Sequence, residues 1–438
     1  MFGTSGIRGT VGEDVTAALA LSVGRAVGSE GYERVVVGRD VRESGDLLVD
    51  ALAAGLRETG ADVLEVGVAS TPTIARAVGW LDADAGVAVT ASHNPATDNG
   101  IKLWTPSGKA FGPDRRAAIA RRVEADEYDL RPWNDLGARA EREGAIEHHA
   151  RRIREAVSLP EPLEVVVDVG NGAGEITASV LDDLGCSVTT LNGQPDGTFP
   201  GRPSEPTRET LGMLAAVVEH TDADLGIGHD GDADRTMAVD ETGTFVPKDA
   251  LLALLACDAA GDGDRVAAPV DTSLAVEDAL TARGASLTRT KVGDVYVAER
   301  ATDDGVVFGG EPSGAWIWPE ETLCPDGPLA ACRLAELVAE RGPLSALVGA
   351  VDTYPIRRTS IEVDEKAAVV ERLRERVLDR YDDVDTLDGV RVDAGDGWFL
   401  LRASGTEPVI RVTAEAREER RAEELYETAT ALVADAAG

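Results

Sequence analysis

Val165-Val166-Val167-Asp168 opens a segment that runs through a helical periodicity to Gly185-Cys186-Ser187-Val188. A β-branched apolar run is a buried strand, the 3.6-residue pattern after it a helix, and the glycine a helix stop. The segment is therefore a βαβ unit with two parallel strands. The same plan occurs upstream, from Arg34-Val35-Val36-Val37-Gly38-Arg39-Asp40 to Gly60-Ala61-Asp62-Val63. It occurs again downstream, from Arg265 through Asp271 to Gly284-Ala285-Ser286-Leu287. Three α/β domains of similar build follow from this repetition, with mixed, largely parallel sheets.

The last part of the chain follows another pattern. Ser360 to Val363 reads as a strand, and Asp364 to Arg380 as an amphipathic helix opened by acidic residues. Strands at Trp398 to Arg402 and Val409 to Ala414 come next, then a charged helix from about Glu418. Neighbouring strands flanked by helices predict a small α+β domain. The shifts in pattern set domains at residues 1–150, 151–250, 251–355 and 356–438. A chain of 438 residues is too long for one hydrophobic core, which agrees with several domains.

Apolar residues make up 43% of the sequence, ordinary for a folded protein. The longest apolar stretches, such as Ala250 to Ala256, are too short to span a bilayer, and the first residues carry no secretory pattern. A soluble, cytoplasmic protein with no membrane partner is expected. Cys186, Cys257, Cys324 and Cys332 form no C-x-x-C pair and have no histidine at zinc-ligand spacing, so they read as buried structural thiols. Charge is the unusual feature: 79 acidic residues stand against 43 basic ones, of which only five are lysine. The acidic residues are spread along the chain, which describes a solvated surface and not a tail. Self-repulsion of this size is screened at molar salt, so a salt-rich cytoplasm of the halophilic type is expected. Nucleic acid is excluded as a partner, because phosphate backbones need basic surfaces.

Several short motifs carry chemistry. The strand Gly86 to Val89 delivers Thr90-Ala91-Ser92-His93-Asn94-Pro95 into a loop, where Ser92 can project its hydroxyl. Alone, the motif reads equally as a Ser/Asn turn, and no G-x-S-x-G marks a hydrolase elbow. His229-Asp230-Gly231-Asp232-Ala233-Asp234-Arg235 sets three carboxylates at alternate positions, suited to one hard divalent cation. A calcium hand is rejected, since Arg235 stands where that loop needs glycine and the flanks read as strands. A solvated acidic turn is the other reading, weakened by Arg235, whose guanidinium suits a phosphate. Gly170-Asn171-Gly172-Ala173-Gly174 lacks the third glycine of a dinucleotide fingerprint, and no Walker A motif is present. Gly309-Gly310-Glu311-Pro312-Ser313-Gly314 offers a carboxylate and a hydroxyl to a sugar, or is a plain turn. Arg402-Ala403-Ser404-Gly405-Thr406-Glu407-Pro408 combines a guanidinium, hydroxyls and turn amides, a cradle for phosphate or again a structural turn.

Taken in order, these motifs resemble the α-D-phosphohexomutase superfamily, the group of phosphoglucosamine mutase, phosphomannomutase and phosphoglucomutase. The resemblance covers essentially the whole chain, including Thr4-Ser5-Gly6-Ile7-Arg8-Gly9 and Lys291-Val292-Gly293-Asp294. It implies four domains around a central cleft, each supplying one loop. It implies that Ser92 is the phosphorylated serine and a ligand, with Asp230, Asp232 and Asp234, of one Mg²⁺. Arg8, His93, Lys102 and Arg235 would then be catalytic, with Lys102 helping proton transfer. Lys291, Glu311 and Ser313 would bind the sugar phosphate, and Arg402, Ser404, Gly405 and Thr406 the phosphate that is not reacting. The implied activity interconverts hexose 6-phosphate and hexose 1-phosphate through a bisphosphate, with glucosamine phosphate favoured and a hexose bisphosphate as activator. A broader mutase, a silent phosphosugar-binding protein and a metal-dependent phosphatase are the competing readings, and a monomer or homodimer is expected. One departure stands out: many bacterial members follow the sugar loop with histidine, whereas here Ala315-Trp316-Ile317-Trp318 follows. The two indoles either stack on a sugar or pack in the core.

Overall fold

In the computed structural model of the chain, residues 2–3, 6–404 and 408–437 are described. They form two compact units, one of residues 1–251 with 313–348, the other of 252–312 with 349–438.

Strand β1 (Ile7–Thr10) and helix α1 (Ala17–Ser29) precede the first βαβ unit, formed by β2 (Arg34–Arg39), α2 (Gly45–Glu58) and β3 (Asp62–Val68). Its strands are parallel, as the sequence predicts. Helix α3 (Thr71–Trp80) then leads into an antiparallel hairpin of β4 (Ala85–Val89) and β5 (Asp98–Trp104), followed by α4 (Pro113–Ala125) and edge strand β6 (Arg139–Glu141). The sheet order is β1-β5-β4-β2-β3-β6. Alternate residues of β2 serve opposite faces: Val35 and Val37 join Leu52 and Ile101 in one core layer, and Val36 joins Ile74 and Trp104 in the other. Each such fully buried valine contributes about 1.5–3 kcal/mol, which explains why this strand is apolar on both faces.

After α5 (Ala145–Ala156) the second unit forms from β7 (Glu164–Asp168), α6 (Glu175–Asp183) and β8 (Ser187–Leu191), again parallel. Helix α7 (Gly212–Glu219) leads into a second antiparallel hairpin, β9 (Leu225–His229) and β10 (Thr236–Asp240), with α8 (Lys248–Ala259) after it. The order β10-β9-β7-β8 repeats β5-β4-β2-β3. The repeat is thus one of topology as well as pattern, and its two hairpin turns occupy equivalent places.

The third repeat supplies β11 (Arg265–Pro269), α9 (Leu274–Ala282), β12 (Ser286–Thr290), α10 (Asp294–Arg300) and β13 (Val306–Glu311). Strand β11 is parallel to both β12 and β13. It stops at Pro269, short of the expected Asp271, because the chain turns there and the Thr272 amide donates to the Pro269 carbonyl at 3.0 Å. Strand β14 (Ala315–Ile317) and helices α11 (Gly327–Arg341) and α12 (Leu344–Gly349) follow. The remainder is β15 (Ile356–Glu362), α13 (Lys366–Arg380), β16 (Val384–Asp385), β17 (Val390–Asp393), β18 (Gly397–Ala403), β19 (Val409–Ala416) and α14 (Glu419–Ala437). These strands form one antiparallel sheet ordered β15-β19-β18-β17-β16, with an apolar face under α13 and α14. Helix α13 starts two residues later than the sequence suggests, since Glu365 adopts a left-handed φ of 51°. Cys186, Cys324 and Cys332 are buried and Cys257 is half-buried. Among the described residues no helix is long and apolar enough to cross a membrane.

Candidate active site

The turns of the two equivalent hairpins meet. Ser92 stands in the turn between β4 and β5, and Asp230, Asp232 and Asp234 in the turn between β9 and β10. The Ser92 hydroxyl donates to Asp230 Oδ2 at 2.7 Å and lies 3.4 Å from His93 Nδ1. Ser92 has a left-handed φ of 53°, unfavourable by roughly 1–2 kcal/mol for a residue with a Cβ, so its surroundings must hold it there. They do so through a buried chain. Asp40, directly after β2, accepts from Thr90 Oγ1 at 2.7 Å, and Thr90 accepts the Ser92 amide at 2.9 Å. Arg42 binds Asp40 at 3.0 Å and turns its remaining donors on the carbonyls of Ser92, Asn94, Pro95 and Asp98.

The three aspartates are buried, and one oxygen from each lies within 4.8 Å of the others. Asp232 Oδ1 is buried with no hydrogen-bond partner, an arrangement costing about 1–3 kcal/mol unless a ligand takes that oxygen. Three convergent carboxylates, one with an orphaned oxygen, fit a hard divalent cation. Lys102, on β5, donates to Asp232 at 2.8 Å and to Asp234 at 2.6 Å. Burial opposes its charge, but the two aspartates outweigh burial and hold the ammonium protonated. Burial also pushes the Asp230 carboxyl well up, helped by Asp234 and Asp232. Asp232 goes the other way: burial is overcome by Lys102 and by the Thr71 hydroxyl, which donates at 2.7 Å. His93 is driven down to about 2 by burial and by the cations Arg235, Arg8 and Lys102, so its imidazole is neutral. Antiparallel pairing of β1 with β5 brings Arg8 opposite Gly100, two residues from Lys102, with its Nε buried. Arg235 is half-buried and lies 3.8 Å from Glu205 and 4.0 Å from Asp234.

Of the residues expected to bind the sugar, Glu311 ends β13 and Ser313 lies just before β14. Ala315 bridges to Arg235, and the Thr236 amide donates to the Gly314 carbonyl at 2.9 Å, which brings the Ser313 end beside the carboxylate loop. Trp316 is fully buried, its indole N–H donating to the Thr236 carbonyl at 3.0 Å, and Trp318 is buried as well. Core packing is the fate of both indoles. In the other unit, Arg402 is the penultimate residue of β18, 3.8 Å from Asp388, which also accepts the Val292 amide next to Lys291. Lys291 is exposed, 5.7 Å from the ring centre of Tyr296. Ser404 is buried and Lys366 donates to its carbonyl at 2.6 Å. Gly405 and Thr406 lie outside the described residues. Arg402, Arg358, Arg411 and Asp271 line a cavity of about 350 Å³ in this unit.

Sequence reasoning missed Arg42, Asp40, Thr71, Arg202 and Ser204. Arg42 and Arg202 act mostly on backbone carbonyls, which no motif advertises, while Asp40 and Thr71 bind side chains that distant pairing brings in. A signal did exist: the strands of the repeats run into Asp40 and Asp168, and each aspartate holds an arginine, Arg42 at 3.0 Å and Arg202 at 2.8 Å. The glycines at 170–174 proved to be a buttress. The Ala173 amide donates to the Gly231 carbonyl at 3.0 Å, and a Cβ on Gly172 would lie 2.6 Å from that oxygen.

Comparison with known proteins gives four matches along the chain, all to phosphoglucomutase/phosphomannomutase domains. The α/β/α domains I, II and III match residues 1–129, 146–243 and 247–354, and the C-terminal domain matches 359–431. A probable phosphoglucosamine mutase of Methanopyrus kandleri is 47% identical, with 97% of this chain and 95% of that protein covered. One of Methanothermobacter thermautotrophicus is 44% identical, with 98% and 96% covered. Among solved structures, a phosphoglucomutase/phosphomannomutase family protein of Burkholderia thailandensis superposes with a TM-score of 0.89 at 29% identity, covering 100% of this chain and 99% of its own.

Proposed function

Because the chain belongs to the phosphoglucomutase/phosphomannomutase family, we propose that Ser92 is the phosphoryl carrier of this phosphosugar mutase. The hydrogen bond of 2.7 Å from the Ser92 hydroxyl to Asp230, inside the buried carboxylate cluster, carries this reading. Phosphoserine 92 gives its phosphoryl group to a hexose phosphate, forming a bisphosphate. The bisphosphate turns end for end, and its other phosphate returns to the Ser92 oxygen. Asp230, Asp232 and Asp234, with Ser92, would hold Mg²⁺, which would neutralise charge on the transferring group. Arg8 and Arg235 supply fixed positive charge to that group, as phosphoryl transfer requires. Lys102 is held as an ammonium across Asp232 and Asp234, and neutral His93 stands beside the nucleophile.

Glu311, Ser313 and Lys291 are assigned to the sugar, and Arg402, Ser404, Gly405 and Thr406 to the phosphate that is not reacting. Relatives at 41–47% identity bear the name probable phosphoglucosamine mutase, which supports glucosamine phosphate as the substrate. A hexose bisphosphate would prime Ser92, and a cytoplasmic monomer or homodimer fits such metabolism. The test is phosphorus NMR in concentrated KCl with Mg²⁺ and a trace of bisphosphate, offering glucosamine, glucose, mannose and ribose phosphates in turn. Exchange of the 1- and 6-phosphates with glucosamine alone is expected. Comparable rates on glucose or mannose would discard the glucosamine assignment. Free phosphate without exchange would mean a phosphatase, and no change with any sugar a binding protein. Ser92→Ala is expected to lose turnover by more than about 10⁴-fold while keeping the fold, and a variant at full rate ends the carrier role.

A further inference from the structure

Ser92 and the three aspartates arrive on hairpins from different repeats, so something has to set one loop against the other. Besides the Ser92 hydroxyl itself, which donates to Asp230, one buried hydroxyl joins the main chains of the two loops. Ser204 Oγ donates to the Ser92 carbonyl at 3.0 Å and accepts the Gly231 amide, between Asp230 and Asp232, at 2.9 Å. Ser204 itself is 4% exposed.

Both ends of this tie are braced. Arg42 holds the serine loop by its carbonyls, Ser92 included, at 2.9 Å. Two residues before Ser204, Arg202 binds Asp168 at 2.8 Å and the His229 carbonyl, at the start of the carboxylate loop, at 2.6 Å. Its other donors reach the carbonyls of Pro203 and Ser204. The fit leaves no slack: a Cβ on Gly231 would lie 2.7 Å from Ser204 Oγ and 2.8 Å from the Ser92 carbonyl oxygen.

We infer that Ser204 is a positioning residue for phosphoryl transfer, fixing the register of the Ser92 loop against the carboxylate loop. The inference rests on the reading of Ser92 as carrier. Ser204 touches no reacting atom; it acts on the main chain of the two residues that flank the transfer. In-line transfer tolerates little misplacement, and a shift of about 1 Å in reacting groups can cost 100-fold in rate. The bland alternative is that the hydroxyl only satisfies two buried polar groups, which would affect stability and leave the rate of the folded enzyme alone.

Ser204→Ala is measured beside the unchanged protein for kcat, KM and the affinity of Mg²⁺ alone by calorimetry. The expected result is a kcat lower by about 10- to 100-fold, a KM within about twofold, and Mg²⁺ binding weakened several-fold. Ser204→Cys, nearly isosteric with a much weaker hydrogen bond, reads the same quantities without a cavity and stands in if the alanine variant misfolds. Full kcat in the folded variants overturns the inference, even with a lowered melting temperature. Loss confined to KM overturns it too. Ser92→Ala, run in parallel, separates the outcomes: if it keeps full rate, the carrier reading fails, whereas unchanged Mg²⁺ affinity in both Ser204 variants removes the tie whatever the turnover.

Discussion

His229 is fully buried, its Nδ1 against the Arg235 carbonyl at 2.9 Å and its Nε2 against Thr177 at 2.8 Å. Burial is the main cause that drives its pKa down to about 4; Arg202 adds to this, while the Arg235 carbonyl, Asp168 and Asp326 oppose it. An unfolded histidine titrates near 6.5, so between that pH and about 4 the unfolded chain binds a proton that the folded chain refuses. The stabilisation is complete above about pH 6.5 and is lost as pH falls through that window. By pH 5 His229 alone accounts for about 2 kcal/mol. His149, buried between Thr73 at 2.8 Å and Asp326 at 3.0 Å, is also lowered by burial and adds in the same direction. Denaturant unfolding in concentrated KCl should therefore show stability falling between pH 6.5 and 5, where most carboxylates remain ionised. A flat profile would contradict neutral buried histidines. The three aspartates were legible as a cation site because alternate carboxylates in a short motif converge, whereas Ser92 and Lys102 were legible as site residues only through the family resemblance. Arg42, Arg202 and Ser204 were not, since their work is done on carbonyls that every turn possesses.

The equivalent hairpins show the same division at the level of elements. A β-branched run, a helix pattern and a glycine stop are local, so three βαβ units were readable from Val35, Val165 and Val266 and their surroundings. Strand order is a matter of distant pairing, and the identity of β10-β9-β7-β8 with β5-β4-β2-β3 could not be read from any window. Nor could the turns be matched to their struts: Arg42 is two residues from Asp40, but Arg202 is 34 residues from Asp168. The strut is also costly to break. Arg42→Met leaves the Asp40 carboxyl, which burial already pushes up, without its cation, and frees four carbonyls of the serine loop. The expected loss is about 3–5 kcal/mol in denaturant unfolding. Arg122→Met, which breaks a partly exposed pair with Glu30 at 2.5 Å, should cost about 1 kcal/mol or less. Equal effects would mean that the buried strut does no more than a surface pair.

At the scale of the whole molecule two electrostatic effects oppose each other, and salt separates them. Surface pairs such as Arg139 with Asp50 and Glu65, or Arg357 with Glu419 and Glu423, stabilise and weaken as salt rises. Each is worth about 0–1 kcal/mol. Against them stands a net charge of −36, with 79 acidic residues for 43 basic ones. Pairing every cation would still leave a large acidic excess to repel itself, and this repulsion weakens as salt rises. With a screening length of about 10 Å at 0.1 M salt and about 3 Å at 1 M, the repulsion is largely removed in molar KCl. Repulsion should win, so the denaturation midpoint should fall as KCl is lowered from about 1 M to 0.1 M. Were the ion pairs dominant, the midpoint would rise instead, and the sign alone decides. Neutralising the exposed residues Glu124, Glu127, Glu375 and Asp379 with the matching amides is the discriminating variant. It should flatten the salt dependence and raise stability at low KCl while leaving the high-salt midpoint nearly unchanged, because it removes repulsion that concentrated salt already screens.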